Sequence, residues 1–316
     1  MIINNVLVTG CGGDIGLGIA RILKKTGSAK KVIGCDVNDT HPGYLVYDEY
    51  EIIKSANHPE YFSELEAIIN KHKIDLIIPI SEQEIRVFFK NKILTGFKSV
   101  PVIMPNEESL VVGLDKLKTM EFLKKNDLLY PWTKIVKDGK PEAIPCIIKD
   151  RGGHGSKGIH VVEKELVAYY EKKFPEHIWQ ELLLPDDQEY TCGLYRTQKG
   201  EIRNIIFKRK LQGGLTGSGE VVEDKSIEKA LKKIANAIKL RGSINVQLRL
   251  TDRGPVVFEI NPRFSSTVVF RHLLGFQDLI WSLQEKAGMK ISDYKPPLVR
   301  TKIFKGSHEY IIKPKK

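Results

Sequence analysis

Apolar residues in the first hundred positions arrive in short runs separated by helical patterns. Val6 to Thr9 reads as a buried strand, the segment after Gly10 turns into a helix ending near Lys25, and Lys31 to Cys35 makes a second strand, which together predict a βαβ unit. A helix follows from about Glu60 to Lys71, then a strand over the apolar run from Asp75 to Ile80, then a further strand from Val100 to Met104 closed by Pro105. From Asn106 the pattern becomes a helical pair, in which Asp115 and Lys116 open a helix with Leu117, Met120 and Leu123 on one face. Pro145 to Lys149 and Ile159 to Val162 predict two strands, and after a polar helix Trp179 to Leu184 is strand-like. The clearest alternation runs from Asn245 to Arg263, where two strands flank Thr251, Asp252, Arg253 and Gly254. Val246, Leu248 and Leu250 point one way, and Asn245, Gln247 and Arg249 the other. On the second strand Val256, Phe258 and Ile260 form the apolar side, leaving Glu259 and Asn261 opposite, roughly 6.5–7 Å apart.

That spacing brings in the first candidate chemistry. Oxygen donors from Gln247, Glu259 and Asn261, with the forked guanidinium of Arg263 beyond them, suit a hard divalent cation and a phosphate. A plain amphipathic hairpin with a solvated polar face is the alternative. Between Arg151 and Gly158 four glycines fall close together, which frees the backbone to curl its N–H groups around oxyanions, while Ser156 and Lys157 add donors. The GxxxxGK[ST] order is absent and a strand follows, so this reads as a β-hairpin flap over phosphates or as a mobile surface hairpin. His154 reads as a loop residue. Ser81 and Glu82 fit a helix N-cap with an acidic first turn, and equally substrate contacts at the C-terminal end of a strand.

Gly10, Gly12 and Gly16 read as a GxGxxG turn, with Asp36 lying 20 residues after Gly16, where a dinucleotide fold puts its ribose-binding acid. This predicts a rival function, an NAD(P)-linked dehydrogenase or epimerase. Such an enzyme also needs a base, and the three TyrxxxLys spacings, Tyr50/Lys54, Tyr130/Lys134 and Tyr169/Lys173, fall in poor contexts for one.

Composition narrows the class. At 316 residues, 41% hydrophobic and 28% charged, the chain supports two or three compact units. Its formal net charge of +11 is spread along helical faces such as Lys229 to Lys239, and no nucleic-acid signature accompanies it. The same field suits anionic ATP and a carboxylate. No apolar run approaches the roughly 18–20 residues needed to span a bilayer, and the N-terminus lacks a signal-peptide pattern, so a cytoplasmic protein without membrane partners is expected. Cys11, Cys35, Cys146 and Cys192 stand singly and signal neither disulfides nor zinc.

The run Asn245-Val246-Gln247, followed by Glu259-Ile260-Asn261-Pro262-Arg263, resembles the metal-site hairpin of ATP-grasp enzymes, particularly the synthetase halves of the carbamoyl-phosphate synthase large subunit. Further segments match in order across nearly the whole chain. The resemblance implies an α/β (α+β) architecture: a Rossmann-like pre-ATP-grasp domain over residues 1–106, an ATP-grasp lid subdomain over 107–180 and a C-terminal subdomain with the metal site over 181–316. In that family the Gly-rich turn opens the first domain without binding NAD. The resemblance further implies Lys116 and Lys149 on the ATP phosphates, with the flap residues Gly152, Gly153, Gly155, Ser156 and Lys157. Backbone groups near Glu181 and Leu183 would read adenine and Glu189 would take the ribose, although one extra residue between Glu181 and Glu189 leaves this register open. Ser81 and Glu82 would touch substrate, Arg209 and Arg263 an acyl phosphate, and Gln247, Glu259 and Asn261 would hold Mg2+, with Mn2+ as an alternative. Leu215 replaces the histidine that the synthase carries before Thr216, which points to a carboxylate other than bicarbonate. The implied activity is an ATP-dependent carboxylate–amine ligase that releases ADP and phosphate. Its partners would be a small carboxylate and an amine or ammonia, and a homodimer is compatible with it. No internal repeat supplies a second synthetase half.

Overall fold

The computed structural model describes residues 3–153 and 158–306. The expected α/β character is observed. Strand β1 (Ile3–Thr9) lies between β2 (Ala29–Asp36) and β4 (Leu76–Pro79), with β3 (Glu49–Ile52) on the edge, giving a parallel sheet in the order β3-β2-β1-β4. Its strands β1, β2 and β4 carry continuous apolar runs because both faces are covered there. Val6 and Val8 pack with Ile19, Ala20 and Leu23 of α1 (Asp14–Thr26), whereas Leu7 packs with Leu65 and Ile68 of α3 (Tyr61–His72). Between β2 and β3 runs the single turn α2 (Gly43–Val46), and after β4 comes α4 (Glu82–Lys90). The edge strand β3 was not expected from the pattern, since its sequence EYEI is half-exposed and lacks an apolar run. The strand expected from Val100 to Met104 is reduced to β6 (Val100–Pro101), which forms a hairpin with β5 (Gly96–Phe97), plus one parallel bridge from Val102 to Ile77.

Helices α5 (Glu107–Gly113) and α6 (Lys116–Lys125) lead into an antiparallel sheet of β7 (Thr133–Ile135), β8 (Cys146–Lys149), β9 (His160–Val162) and β10 (Ile178–Glu181), ordered β7-β10-β8-β9. With α7 (Val167–Lys173) it closes a small core around the fully buried Trp179. The remaining strands form one antiparallel sheet ordered β15-β14-β11-β12-β13-β16. These are β11 (Glu189–Arg196), β12 (Ile202–Gln212), β13 (Leu215–Val221), β14 (Gly242–Thr251), β15 (Gly254–Asn261) and β16 (Lys302–Phe304). The apolar stripe of α8 (Lys225–Ala237), including Ile227, Leu231 and Ile234, packs with Val246, Leu248, Val257 and Ile260. On the other face α9 (Val268–Leu273) and α10 (Asp278–Lys286) join this sheet to the parallel one. Gly18 of α1 permits that approach, because a Cβ there would lie 2.8 Å from Val269 Cγ2.

One register expectation is corrected. Gln247 pairs with Glu259 but Leu248 pairs with Val257, so Phe258 is an extra residue in a β-bulge. The apolar side of β15 therefore carries Val257 and Ile260, and Phe258 turns to the polar face beside Glu259.

Candidate active site

A cleft of about 320 Å³ lies between the β7–β10 sheet and the six-stranded sheet. It is lined by Lys116, Lys149, Gly153, Glu181, Leu183, Glu189, Arg209, Gln247 and Glu259, nine of the positions singled out from the sequence. The strand period explains Lys149: Cys146 and Ile148 enter the small core, so Ile147 and Lys149 face the cleft. Lys149 is only 4% exposed, and burial pulls its pKa down to about 8, opposed by the nearby Glu259 carboxylate and reinforced by Lys116. Lys116 is the first residue of α6, whose N-cap Asp115 accepts from Leu117 N–H at 3.0 Å and takes a fork from Arg151 at 2.9 and 2.6 Å. Burial would raise the Asp115 pKa, but the hydrogen bonds and charge of Arg151 outweigh it and hold the carboxyl below its ordinary range. The root of the flap is tied here too, because Lys116 Nζ donates to the Gly153 carbonyl.

Across the cleft Glu189 sits between two arginines, with Oε1 accepting from Arg209 at 2.8 Å and Oε2 from Arg249 at 2.8 Å. An ionised carboxylate has about four acceptor sites, so Glu189 keeps capacity for a further donor. Arg209 also donates to Gln247 Oε1 at 2.9 Å, and Arg249 donates to the Leu183 carbonyl and to Asp186. Glu181 N–H is committed to the Trp132 carbonyl at 3.0 Å, whereas Leu183 N–H meets no acceptor among the described residues.

Gln247 and Glu259 are cross-strand partners, and the Glu259 carboxylate makes no hydrogen bond or ion pair among the described residues. An unpartnered carboxylate beside an amide oxygen, facing a cleft with two lysines, is a donor set that fits a hard divalent cation. Asn261 and Arg263 stand just beyond the cleft lining. Arg263 donates to Asn261 Oδ1 at 3.3 Å, lies 4.0 Å from Glu82, and faces a second cavity of about 340 Å³ walled by Ile85, Ile103, Met104 and Phe264. Ser81 holds the N-cap position of α4 but makes no side-chain cap bond, and Glu82 is buried against Arg86 at 2.7 Å. Gly152 is outside the cleft lining, its carbonyl accepting from Arg86 at 3.0 Å. Gly155, Ser156 and Lys157, like His154, lie outside the described residues.

Sequence reasoning missed Gln180, Asp186, Leu211, Arg249 and Phe258 as cleft residues. Arg249 had a legible position on the polar face of β14, but its partners come from β11 and the loop that precedes it. Phe258 depended on the bulge, which leaves no periodic signal.

The Gly-rich turn departs from its expected pattern. The third glycine stands one position later than GxGxxG requires, and Gly16 is packed on Cys11, with a Cβ there only 2.6 Å from the Cys11 oxygen. The His41 ring lies over Gly12, and Asp36 Oδ2 accepts the Gly12 N–H at 2.8 Å. Cys11, Asp36 and His41 bring ligand atoms within 4.8 Å of one another. His41 Nδ1 accepts from Gly43 N–H at 3.0 Å, which leaves the proton of a neutral ring on Nε2, the nitrogen nearest Asp36. Burial also pushes the Cys11 thiol well up, so neither the ring nor the thiol is prepared to ligate. No described helix is long and apolar enough to cross a membrane.

Comparison with known proteins agrees with this layout. Residues 173–304 match the family described as ATP-grasp in the biosynthetic pathway with Ter operon, and residues 6–103 match the PylC-like N-terminal domain. No curated protein matches. Among solved structures, the ADP complex of an N5-carboxyaminoimidazole ribonucleotide synthetase aligns with a TM-score of 0.70 at 16% identity, covering 93% of this chain and 79% of that one. The Thermotoga maritima enzyme of the same name aligns at 0.67 and 19%, covering 92% and 78%. The L-amino acid ligase from Bacillus licheniformis aligns at 0.68 and 16%, covering 90% and 73%. At these identities the likeness is one of fold.

Proposed function

Because the chain belongs to the ATP-grasp superfamily, we propose that it is an ATP-dependent carboxylate–amine ligase that activates a carboxylate as an acyl phosphate and passes the acyl group to an amine or ammonia, with release of ADP and phosphate. The observation that carries this reading is the convergence of two lysines, a capped helix start and an unpartnered carboxylate on one cleft between two sheets. In it Lys149 and Lys116 bind the phosphates. Leu183 N–H is the free donor for the adenine edge, the apolar walls Ile147, Ile159, Leu211 and Phe258 enclose the base, and Glu189 receives the ribose. Gln247, Glu259 and Asn261 would hold Mg2+, or Mn2+, which when bound neutralises phosphate charge and aligns the phosphoryl group for transfer. Gly152 and Gly153 root the flap above the phosphates. Arg209, fixed by Glu189 and Gln247, and Arg263 stabilise charge on the acyl phosphate, and Ser81 and Glu82 touch substrate. Two similar structures bear the names of a carboxyaminoimidazole ribonucleotide synthetase and an amino acid ligase, which supports this class of chemistry without choosing the substrate. Division of the chain at 106 and 180 into pre-grasp, lid and C-terminal units belongs to the same reading.

The test is to incubate the pure protein with Mg·ATP and pooled carboxylates and amines. ADP and phosphate are expected. AMP with pyrophosphate would replace the acyl phosphate by adenylation, and micromolar NAD or NADP affinity lost in Asp36→Ala would restore the dinucleotide reading of the N-terminal turn.

A further inference from the structure

The second cavity, of about 340 Å³, lies at the C-terminal end of β4, the side of an open α/β sheet where ligands collect. Ile85, Leu94, Ile103 and Met104 give it an apolar wall on the side of the parallel sheet, and Phe264 closes it from the chain just past the β14–β15 hairpin. Arg263 lines the same cavity, two residues beyond Asn261. Its side chain is only 14% exposed. Among the described residues it spends two of its five N–H groups, on the Phe264 carbonyl at 3.0 Å and on Asn261 Oδ1 at 3.3 Å. Glu82 stands 4.0 Å away and is held more closely by Arg86, at 2.7 Å, so the remaining donors stay free.

The acidic and hydroxyl groups of the wall are already engaged. Glu285 accepts from the Tyr195 hydroxyl and from Gln198 N–H, both at 2.8 Å, and Glu107 pairs with Lys92 at 2.9 Å. Ser243 and Ser282 donate to Asp278, each at 2.7 Å. The other cations of the wall, Arg241 and Lys286, make no ion pair among the described residues. An apolar wall is thus joined to positive charge that the protein itself does not neutralise.

We propose that this cavity holds the carboxylate substrate, and that the substrate is a monocarboxylate with a compact apolar body, roughly ten non-hydrogen atoms at about 30 Å³ each. The proposal rests on the ligase reading above and deepens it. An amine would meet three cations and no free carboxylate. A sugar acid would bury hydroxyls against an apolar wall whose own hydroxyls are committed elsewhere. A neutral apolar molecule would leave the Arg263 donors unmet. A second carboxylate would reach only Arg241 and Lys286, which are exposed and return little in water. Held on Arg263, the acid group lies beside Asn261 at the end of the hairpin that carries Glu259, with the body between Ile103 and Phe264. There a carboxylate oxygen bonds to the γ-phosphorus of ATP as the bond to the bridging oxygen breaks, and ADP leaves with that electron pair.

The experiment uses the full chain with Mg2+ and a non-hydrolysable ATP analogue. Phenylacetate and hexanoate are titrated by calorimetry beside acetate, phenylacetamide, phenylethylamine, succinate and glucuronate. The better of the first two should bind at least about 10-fold more tightly than any of the others. Arg263→Gln should remove about 10- to 100-fold of that affinity, the scale of a charge-assisted hydrogen bond, and leave phenylacetamide within about twofold. Leu94→Trp narrows the cavity and should weaken phenylacetate about 10-fold while leaving acetate unchanged. Met104→Ala should shift the preference toward the longer 3-phenylpropanoate. Neither Leu94 nor Met104 lines the ATP cleft, so a retained melting shift with nucleotide shows that each variant is folded. Equal binding of phenylacetate and phenylacetamide, tighter binding of succinate or glucuronate, or no acid bound while the nucleotide still binds overturns this proposal and leaves the ligase reading standing. If the nucleotide itself fails to bind, the ligase reading falls and this assignment falls with it.

Discussion

Lys149 offers a test in which stability and function move in opposite directions. Its ammonium is buried at the end of β8 with no hydrogen-bond or ion-pair partner among the described residues, and its pKa is drawn from 10.5 to about 8. That difference corresponds to about 3 kcal/mol of unfavourable burial of the charged form. The Phe258 ring, 5.9 Å from Nζ, returns about 1 kcal/mol. Lys149→Met keeps the length of the stem and removes the charge, so the nucleotide-free variant should be about 2 kcal/mol more stable than the parent at pH 7. Between pH 8 and 10.5 the unfolded parent binds more protons at this position than the folded one, so the parent gains stability as pH rises through that window. The advantage of the variant should therefore be complete below pH 8 and gone above pH 10.5. Mg2+ with a non-hydrolysable ATP analogue should raise the melting temperature of the parent and leave the variant unmoved. Denaturant and thermal melts at pH 7 and pH 10.5, with and without nucleotide, measure all of this. A variant less stable than the parent at pH 7, or one that keeps the full nucleotide shift, would refute the assignment of Lys149 as a buried charge held ready for phosphate.

Three further outcomes are expected. Glu259→Gln and Asn261→Ala should each abolish ADP release with little change in melting temperature, because the core side of the hairpin is untouched; full turnover in either removes the cation site. Gly113→Ala places a Cβ 2.7 Å from Pro262 Cδ and 2.9 Å from the Ile260 carbonyl, so it should cost about 1–3 kcal/mol and lower kcat by shifting Asn261 and Arg263; an unchanged kcat would show that the hairpin end tolerates displacement. Burial raises the pKa of Glu84 to about 7 despite hydrogen bonds from Tyr61 at 2.7 Å and Thr9 at 2.8 Å. Between pH 4.5 and 7 the folded state thus holds the proton that the unfolded state has lost, and stability should fall by about 3 kcal/mol as pH rises across that window. Urea melts of Glu84→Gln should show that slope flattened, and an unchanged slope would place the titration elsewhere.

Much of the fold was legible because its signals are local. The run from Val6 to Thr9, the helix after the Gly-rich turn and the strand ending in Cys35 follow from apolar periodicity, and both faces of β1 are buried as continuous apolar sequence requires. Alternation likewise brought Gln247 and Glu259 to one face of a hairpin, and the end of a buried strand marked Lys149. Where a segment was half-exposed and charged, as in β3, period carried no information and the strand went unseen. Only the tertiary structure decided the rest. The bulge that turns Phe258 into the cleft is an extra residue whose effect depends on the partner strand. The clamp of Arg209 and Arg249 on Glu189 joins three strands, and the contact of Arg86 with Gly152 crosses between two sheets. Periodicity reports which face a residue takes, a property of a few neighbouring dihedrals. Which charge meets which depends on how separate faces pack, and no local pattern encodes that.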